Sequence, residues 1–150
     1  MIASNRVVAR AIFSTMHFGA NMKRDFKVFP KDDNGDVLWS AHQHGLKIGE
    51  AYIVQYALIF PEFNDALKFS VFLLRQGYWV QVNELEDHPG YTAEVLLKMI
   101  LDVTHEEITG AEDWLAKQSA SLKGKNDGWE IQQDQPKEVA DYEFIELSNG

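Results

Sequence analysis

The sequence predicts a single α+β domain whose strands and helices follow each other in the order βαββαβ. An alternating apolar run at 51–60 precedes an amphipathic stretch at 62–76, and two more strand-like runs follow at 78–83 and 92–103. A second amphipathic stretch then leads to a short run at 128–133. This order suits a four-stranded antiparallel sheet that carries both helices on one face.

Composition supports one packed domain and narrows the classes of function. The chain has 150 residues, of which 45% are hydrophobic and 12% aromatic, so it can bury a core. Its net charge of −9 opposes direct nucleic-acid binding and favours a basic partner. The chain has no cysteine, which excludes disulfides and thiolate chemistry and is compatible with the cytoplasm. No apolar run approaches the roughly 18 residues of a membrane span.

Both ends of the chain are predicted to lie outside the domain. Residues 1–27 are interpreted as a leader, because Arg6 and Arg10 precede only a short, interrupted apolar stretch. Residues 134–150 form an acidic tail with enough apolar side chains to dock on a surface. The domain proper is therefore assigned to 28–133.

A hairpin is predicted at the start of the domain. Asn34-Gly35 is a dipeptide that hairpin turns with positive φ prefer. Apolar residues at 28–29 and 37–39 flank it and would form the two short strands. The segment 42–50 is predicted to be a loop.

The first strand and helix of the βαββαβ unit have clear signals. Apolar residues alternate through 51–60, and Pro61 ends the run. The helix at 62–76 repeats apolar residues at three- and four-residue spacing, and Gly77 stands at its expected C-cap. The residues that recur at this spacing are Phe63, Ala66, Leu67, Ser70, Leu73 and Leu74.

The stretch 92–103 suits either a helix or a strand, and we predict a strand. Its apolar residues alternate with polar ones. In addition, Thr104 and Glu107 form a capping box that starts a new helix directly after it. That helix is expected to end near Leu122, before a turn at 123–126.

Trp79 is expected on the sheet face opposite the helices, because its neighbours Tyr78 and Val80 would point towards them. The residues expected to share this face with Trp79 are Ile53, Gln55, Ala57, Ile59, Leu96, Lys98, Ile100, Glu130 and Gln132. Such a face is too apolar to remain fully hydrated. We expect it to be covered by the N-terminal hairpin, the tail or a second copy, or to dock a partner.

No catalytic residue, metal site or cofactor site is predicted. His42 and His44 would lie on one side of a strand, but a metal site needs further ligands. Ser40 near His42 is the only close nucleophile–base pair, and no nucleophile elbow or phosphate-binding glycine loop accompanies it. Two alternatives to a protein-binding regulator stay open, namely a small-ligand regulatory module and a hydrolase.

The predicted partner contacts are mainly acidic, in keeping with a basic partner. They are Glu106, Glu107, Glu112 and Asp113 on the second helix, Glu84, Glu86 and Asp87 in the loop after the second strand, and Trp79.

The βαββαβ order matches the ferredoxin-like sandwich, and within that fold the chain resembles the RraB family of ribonuclease E inhibitors. The segments that carry the resemblance are Asp33-Asn34-Gly35-Asp36-Val37-Leu38-Trp39, Leu74-Arg75-Gln76-Gly77-Tyr78-Trp79-Val80, Thr104-His105-Glu106-Glu107-Ile108 and Asp127-Gly128-Trp129-Glu130.

The resemblance implies a cytoplasmic protein that binds the ribonuclease in its non-catalytic scaffold part and alters RNA turnover without chemistry of its own. It supplies no catalytic residues. It implies structural roles for Asp127 as a local cap, Gly128 in a turn and Trp129 in packing. The partner could equally be another basic protein, and a homo-oligomer is left open.

Overall fold

The computed structural model describes residues 10–11 and 23–132. Most of the predicted leader and the whole tail 134–150 lie outside these residues. The described elements are β1 (Arg10–Ala11), α1 (Asp33–Gln43), β2 (Ala51–Phe60), α2 (Phe63–Arg75), β3 (Trp79–Glu84), β4 (Ala93–Asp102), α3 (His105–Ser119), a short 3-10 helix (Ala120–Leu122) and β5 (Lys125–Gln132).

The strands form one sheet in the order β1-β5-β2-β4-β3. β2 lies antiparallel between β4 and β5, and β3 pairs antiparallel with β4. β1 adds two residues parallel to β5. The α+β prediction with a four-stranded antiparallel sheet is therefore confirmed, and the strand order is compatible with a ferredoxin-like arrangement.

The ambiguous stretch 92–103 is a strand, as predicted. All ten residues of β4 pair with β2, from Ala93 opposite Phe60 to Asp102 opposite Ala51. β4 pairs with β2 along one edge and with β3 along the other, and its helix-facing residues are buried in the core. Its apolar residues therefore pack against neighbouring strands and helices, which favours a strand.

The main core lies between the sheet and the helices. It joins α1, α2 and α3 to the helix-facing residues of β2, β4 and β5, so α2 and α3 share one face as predicted. The hydroxyl of Tyr56 donates a 2.9 Å hydrogen bond to the backbone oxygen of Ile108, which ties β2 to α3. Burial raises the pKa of the Tyr56 phenol.

The turn after α2 brings the chain directly into β3. Gly77 has a φ of +95°, and its N–H donates to the carbonyl of Leu74 while that of Tyr78 donates to the carbonyl of Leu73. These two bonds are the Schellman pattern that ends a helix at a glycine. Gly77 ends α2 as predicted, and it does so as the residue that directly follows the C-cap Gln76.

The predicted N-terminal hairpin is wrong, because the segment is the helix α1. Asp32 caps this helix by accepting a hydrogen bond of 2.7 Å from the N–H of Gly35. A β-carbon on Gly35 would lie 1.7 Å from the carbonyl oxygen of Pro30, so the glycine serves a close backbone approach and not a positive φ. Leu38 and Ala41 are buried in the main core. The predicted loop 42–50 begins in the last turn of α1.

Candidate functional site

The start of α3 presents two of the predicted contact residues to solvent. Thr104 is the N-cap, and its side-chain oxygen accepts a hydrogen bond of 3.1 Å from the N–H of Glu107. Glu106 and Glu107 lie exposed in the first turn, where their charges stabilise the helix dipole. Within residues 23–132 neither forms an ion pair. This turn is therefore an exposed acidic surface whose position is fixed by the helix cap.

Glu112 is placed differently from the other predicted contacts. Its Oε1 accepts a hydrogen bond of 2.7 Å from Nδ2 of Asn34, and the side chain is half-buried. Burial raises the pKa of the Glu112 carboxyl, and the hydrogen bond from Asn34 opposes that shift. Glu112 thus has a role within the protein, whereas Asp113 beside it is exposed and extends the acidic surface.

Asn34 joins three elements of the fold. Its Oδ1 accepts a hydrogen bond of 2.9 Å from Nε1 of Trp129 in β5, and its Nδ2 also donates to Oγ1 of Thr109 at 3.1 Å. Trp129 is buried in the main core, so it packs as expected. Its polar link to Asn34 was not predicted, because no local pattern connects residues 95 positions apart.

A second polar contact lies at the same corner of the fold. Nε2 of His105, the first residue of α3, is 2.9 Å from Oδ2 of Asp32. The hydrogen bond from the N–H of Gly35 is the main reason that the pKa of the Asp32 carboxyl is lowered, and His105 lowers it further. The starts of α1 and α3 are therefore held together.

Gly128 and Asp127 lie inside β5, which begins three residues earlier than predicted. The φ of Gly128 is +105°, and the pairing of β2 with β5 shifts register between Tyr56 and Leu58. Gly128 therefore lies in a β-bulge, where a glycine tolerates the required backbone angles. Asp127 is buried in this strand and is not the N-cap of any described helix.

The other predicted acidic contacts lie far from the start of α3. Glu84, Glu86 and Asp87 are exposed at the junction between β3 and β4, before β4 begins. α3 starts after β4 has ended at Asp102. Because β4 has ten residues, the two acidic surfaces are separated by about 33 Å along the sheet. The structure does not bring them together.

Trp79 lies on the sheet face opposite the helices, where it forms a separate apolar cluster with Ala57 and Leu96. The ammonium of Lys98 is 4.3 Å from the centre of the Trp79 ring, which is within cation–π range. Trp79 is only 9% exposed, so it presents little surface to a partner. The predicted hairpin cannot cover this face, because Phe29 and α1 pack into the core on the helix side.

The histidines considered as metal ligands contact the backbone. Nδ1 of His42 is 3.1 Å from the carbonyl oxygen of Leu46, and Nδ1 of His44 is 2.8 Å from that of Ser40. In the described part of the chain no three His, Asp or Glu side chains are grouped so as to hold a metal ion. None of the helices within residues 23–132 combines the length and apolarity needed to cross a membrane.

The family described as "Regulator of ribonuclease activity B" matches residues 31–131. This range begins just before α1 and ends in β5, so it covers all but the last residue of the βαββαβ unit together with the helix that precedes it. A search of curated proteins found no match.

Proposed function

We propose, from the fact that this chain belongs to the RraB family, that it regulates a ribonuclease by binding it and performs no chemistry of its own. RraB proteins are regulators of ribonuclease activity. The partner we propose is ribonuclease E or another basic protein, met in the cytoplasm without direct contact between this chain and RNA. The observation that carries the proposal is the family match over residues 31–131.

The first turn of α3 is the contact that we propose for this partner. Glu106 and Glu107 are exposed and have no ion-pair partner within residues 23–132. The Thr104 cap and the contact between His105 and Asp32 fix the position of this turn. A preorganised charged surface speeds association with a partner of opposite charge and helps to select it.

The loop with Glu84, Glu86 and Asp87 is proposed as a second, separate contact. It lies at the other end of β4, about 33 Å from the start of α3. A partner that uses both surfaces must therefore span the length of the sheet. A partner that binds in one compact contact would use only one of them.

Charge reversal tests the first contact. We expect Glu106→Lys to weaken binding to purified ribonuclease E about tenfold at low salt, and to weaken it less as salt screens the charges. Glu62→Lys is the matched control, because Glu62 is an exposed glutamate at the start of α2. Isothermal titration calorimetry would measure both variants against the unmodified chain.

Three outcomes would contradict the proposal. If Glu106→Lys and Glu62→Lys weakened binding to ribonuclease E equally, only the net charge of the chain would matter, and the proposed contact at α3 would be wrong. If the unmodified chain neither bound purified ribonuclease E nor captured any basic protein from a lysate, the proposed binding mechanism would be wrong. Catalytic turnover of a substrate by the purified chain would contradict a purely binding role.

A further inference from the structure

The outer side of α2 carries a line of exposed apolar side chains. Phe63, Leu67, Val71 and Leu74 are each between 36% and 46% exposed. Their spacing of four, four and three residues places them along one side of the helix over about 16 Å. Single exposed apolar residues are common on protein surfaces, but a continuous row of four indicates a contact surface. We call these four residues the α2 stripe.

The α2 stripe points away from α3. Ala66 and Leu73 face the core, and Phe72 faces Trp114 of α3 with ring centres 5.9 Å apart. Each helical residue turns the side-chain direction by about 100°, which places the stripe on the side opposite Phe72. Because α2 packs on β3 and β4, the stripe lies above the β3 edge of the sheet.

β3 is the outermost described strand on that side. Alternate residues of an edge strand direct their backbone N–H and C=O groups away from the sheet, where another strand can pair with them. The sequence of β3, Trp79 to Glu84, contains neither lysine nor proline, the residues that commonly block such pairing. The α2 stripe and this strand edge run side by side over similar lengths.

The charges next to β3 are complementary to each other. Arg75 ends α2 just before the strand begins, and Glu84, Glu86 and Asp87 follow at its end. If two copies of β3 pair antiparallel about a twofold axis, the start of each strand meets the end of the other. Arg75 of each copy then approaches the acidic loop of its partner.

We infer that two copies of this chain associate through this surface. The two β3 strands pair antiparallel and extend the sheet, and the two α2 stripes pack against each other beside them. A second copy fits better than a basic partner, because the stripe has no carboxylate along its length and homodimer interfaces are rich in apolar contacts. This inference does not depend on the contact proposed at the start of α3, which lies over the other half of the sheet. It does compete with the second proposed contact, because in the dimer the loop with Glu84, Glu86 and Asp87 meets Arg75 of the other copy.

Sedimentation velocity of the full chain tests the inference. At about 100 µM we expect a species of twice the 17.1 kDa chain mass. The double variant Leu67→Lys with Val71→Lys should be monomeric, with a dimer dissociation constant raised about 100-fold or more, because four lysines would face each other across the axis. Both positions are exposed, so the variant should fold, and circular dichroism would verify this.

A matched control separates the interface from a general effect of added charge. Ala116→Lys with Gln118→Lys places two lysines at exposed positions on α3 and should leave the dimer intact. The dimer should also survive about 0.5 M salt, because apolar contacts and strand pairing are little affected by screening. Binding to a basic partner through Glu106 should weaken under the same conditions.

Other results would overturn the inference. A monomeric unmodified chain at about 100 µM would do so. So would a dimer that is unaffected by the Leu67 and Val71 substitutions, since it would use a different surface. A monomer in which the N–H groups of the consecutive residues Val80 and Gln81 both exchange slowly would overturn it in favour of a segment of the same chain as the occupant, because one of the two N–H groups points away from β4.

Discussion

The indole nitrogen of Trp129 donates a 2.9 Å hydrogen bond to the side-chain oxygen of Asn34. The amide nitrogen of the same asparagine donates to Glu112 at 2.7 Å and to Thr109 at 3.1 Å. One side chain therefore links the helix that precedes the βαββαβ unit to its last strand and last helix. Because each of these partners is at least partly buried, losing Asn34 would leave several polar groups without hydrogen bonds.

Replacing Asn34 with aspartate tests this link. We expect Asn34→Asp to lower the free energy of unfolding by about 2 kcal/mol near pH 7, because a carboxylate would face Glu112 where the amide now donates. The control is Asn64→Asp, the same change at an exposed position in the first turn of α2, which should be close to neutral. Urea unfolding would measure both variants. If they changed the free energy of unfolding equally, the hydrogen bonds of Asn34 would contribute little to stability.

The pH dependence of stability should report on Glu112. Burial raises the pKa of its carboxyl above the ordinary value of 4.5, so the folded chain binds this proton more tightly than the unfolded chain does. The contribution of Glu112 to the free energy of unfolding therefore falls as pH rises from about 4.5 through the raised pKa. Ionising the Glu112 carboxyl therefore costs more in the folded chain than in the unfolded chain.

Glu112→Gln removes this cost while keeping an oxygen that can accept from Asn34. We expect the variant to be more stable than the unmodified chain at pH 7, and the difference to shrink as pH falls towards 4. Glu107→Gln, at an exposed position of the same helix, should show no such gain. Urea unfolding measured from pH 4 to 8 would test this, and a Glu112→Gln chain less stable at pH 7 would contradict it.

Strands of the sheet were predictable because their signals are local and agree with the tertiary structure. β2 has the bounds given by apolar alternation and Pro61. Thr104 and Glu107 located the start of α3, which in turn decided the strand assignment of β4. In each case the side-chain period, the residues at the ends of the element and the final packing favour the same structure.

The missed helix α1 shows where local patterns fail. Asn34-Gly35 suits a hairpin turn, but here Asp32 caps a helix and Gly35 approaches the backbone of Pro30. Similarly, Leu67 and Leu74 have the spacing of core residues yet are exposed. Apolar periodicity shows that a helix is amphipathic, but a wide apolar arc does not reveal which part of it meets the sheet.

The helix cap at Asp32 can be separated from its contact with His105. Asp32→Ala should lower the free energy of unfolding by about 1 kcal/mol, the usual cost of losing an N-cap. Asp32→Asn keeps the capping oxygen and should cost less at neutral pH. Urea unfolding would measure both variants. If the two variants lost the same free energy of unfolding, the charge of Asp32, and not its role as helix cap, would stabilise the start of α1.

The same residue should contribute to acid sensitivity. Hydrogen bonding by the N–H of Gly35 lowers the pKa of the Asp32 carboxyl below 3.8. The stability that this charge adds is present above the unfolded pKa and is lost as pH falls through the folded value. We therefore expect the difference in free energy of unfolding between the unmodified chain and the Asp32→Asn variant to become smaller below about pH 4.

Two glycine-to-alanine changes in helices should have opposite effects on stability. Gly35→Ala places a β-carbon 1.7 Å from the carbonyl oxygen of Pro30, so the chain before α1 must move and the Asp32 cap with it. We expect a loss of about 3 kcal/mol or more. A β-carbon added at Gly110 in α3 would have no atom within 4 Å. Gly110→Ala should therefore raise the free energy of unfolding by about 0.5–1 kcal/mol, because alanine has the higher helix propensity. Urea unfolding distinguishes these results, and a tolerated alanine at position 35 would show that α1 does not pack against Pro30 as described.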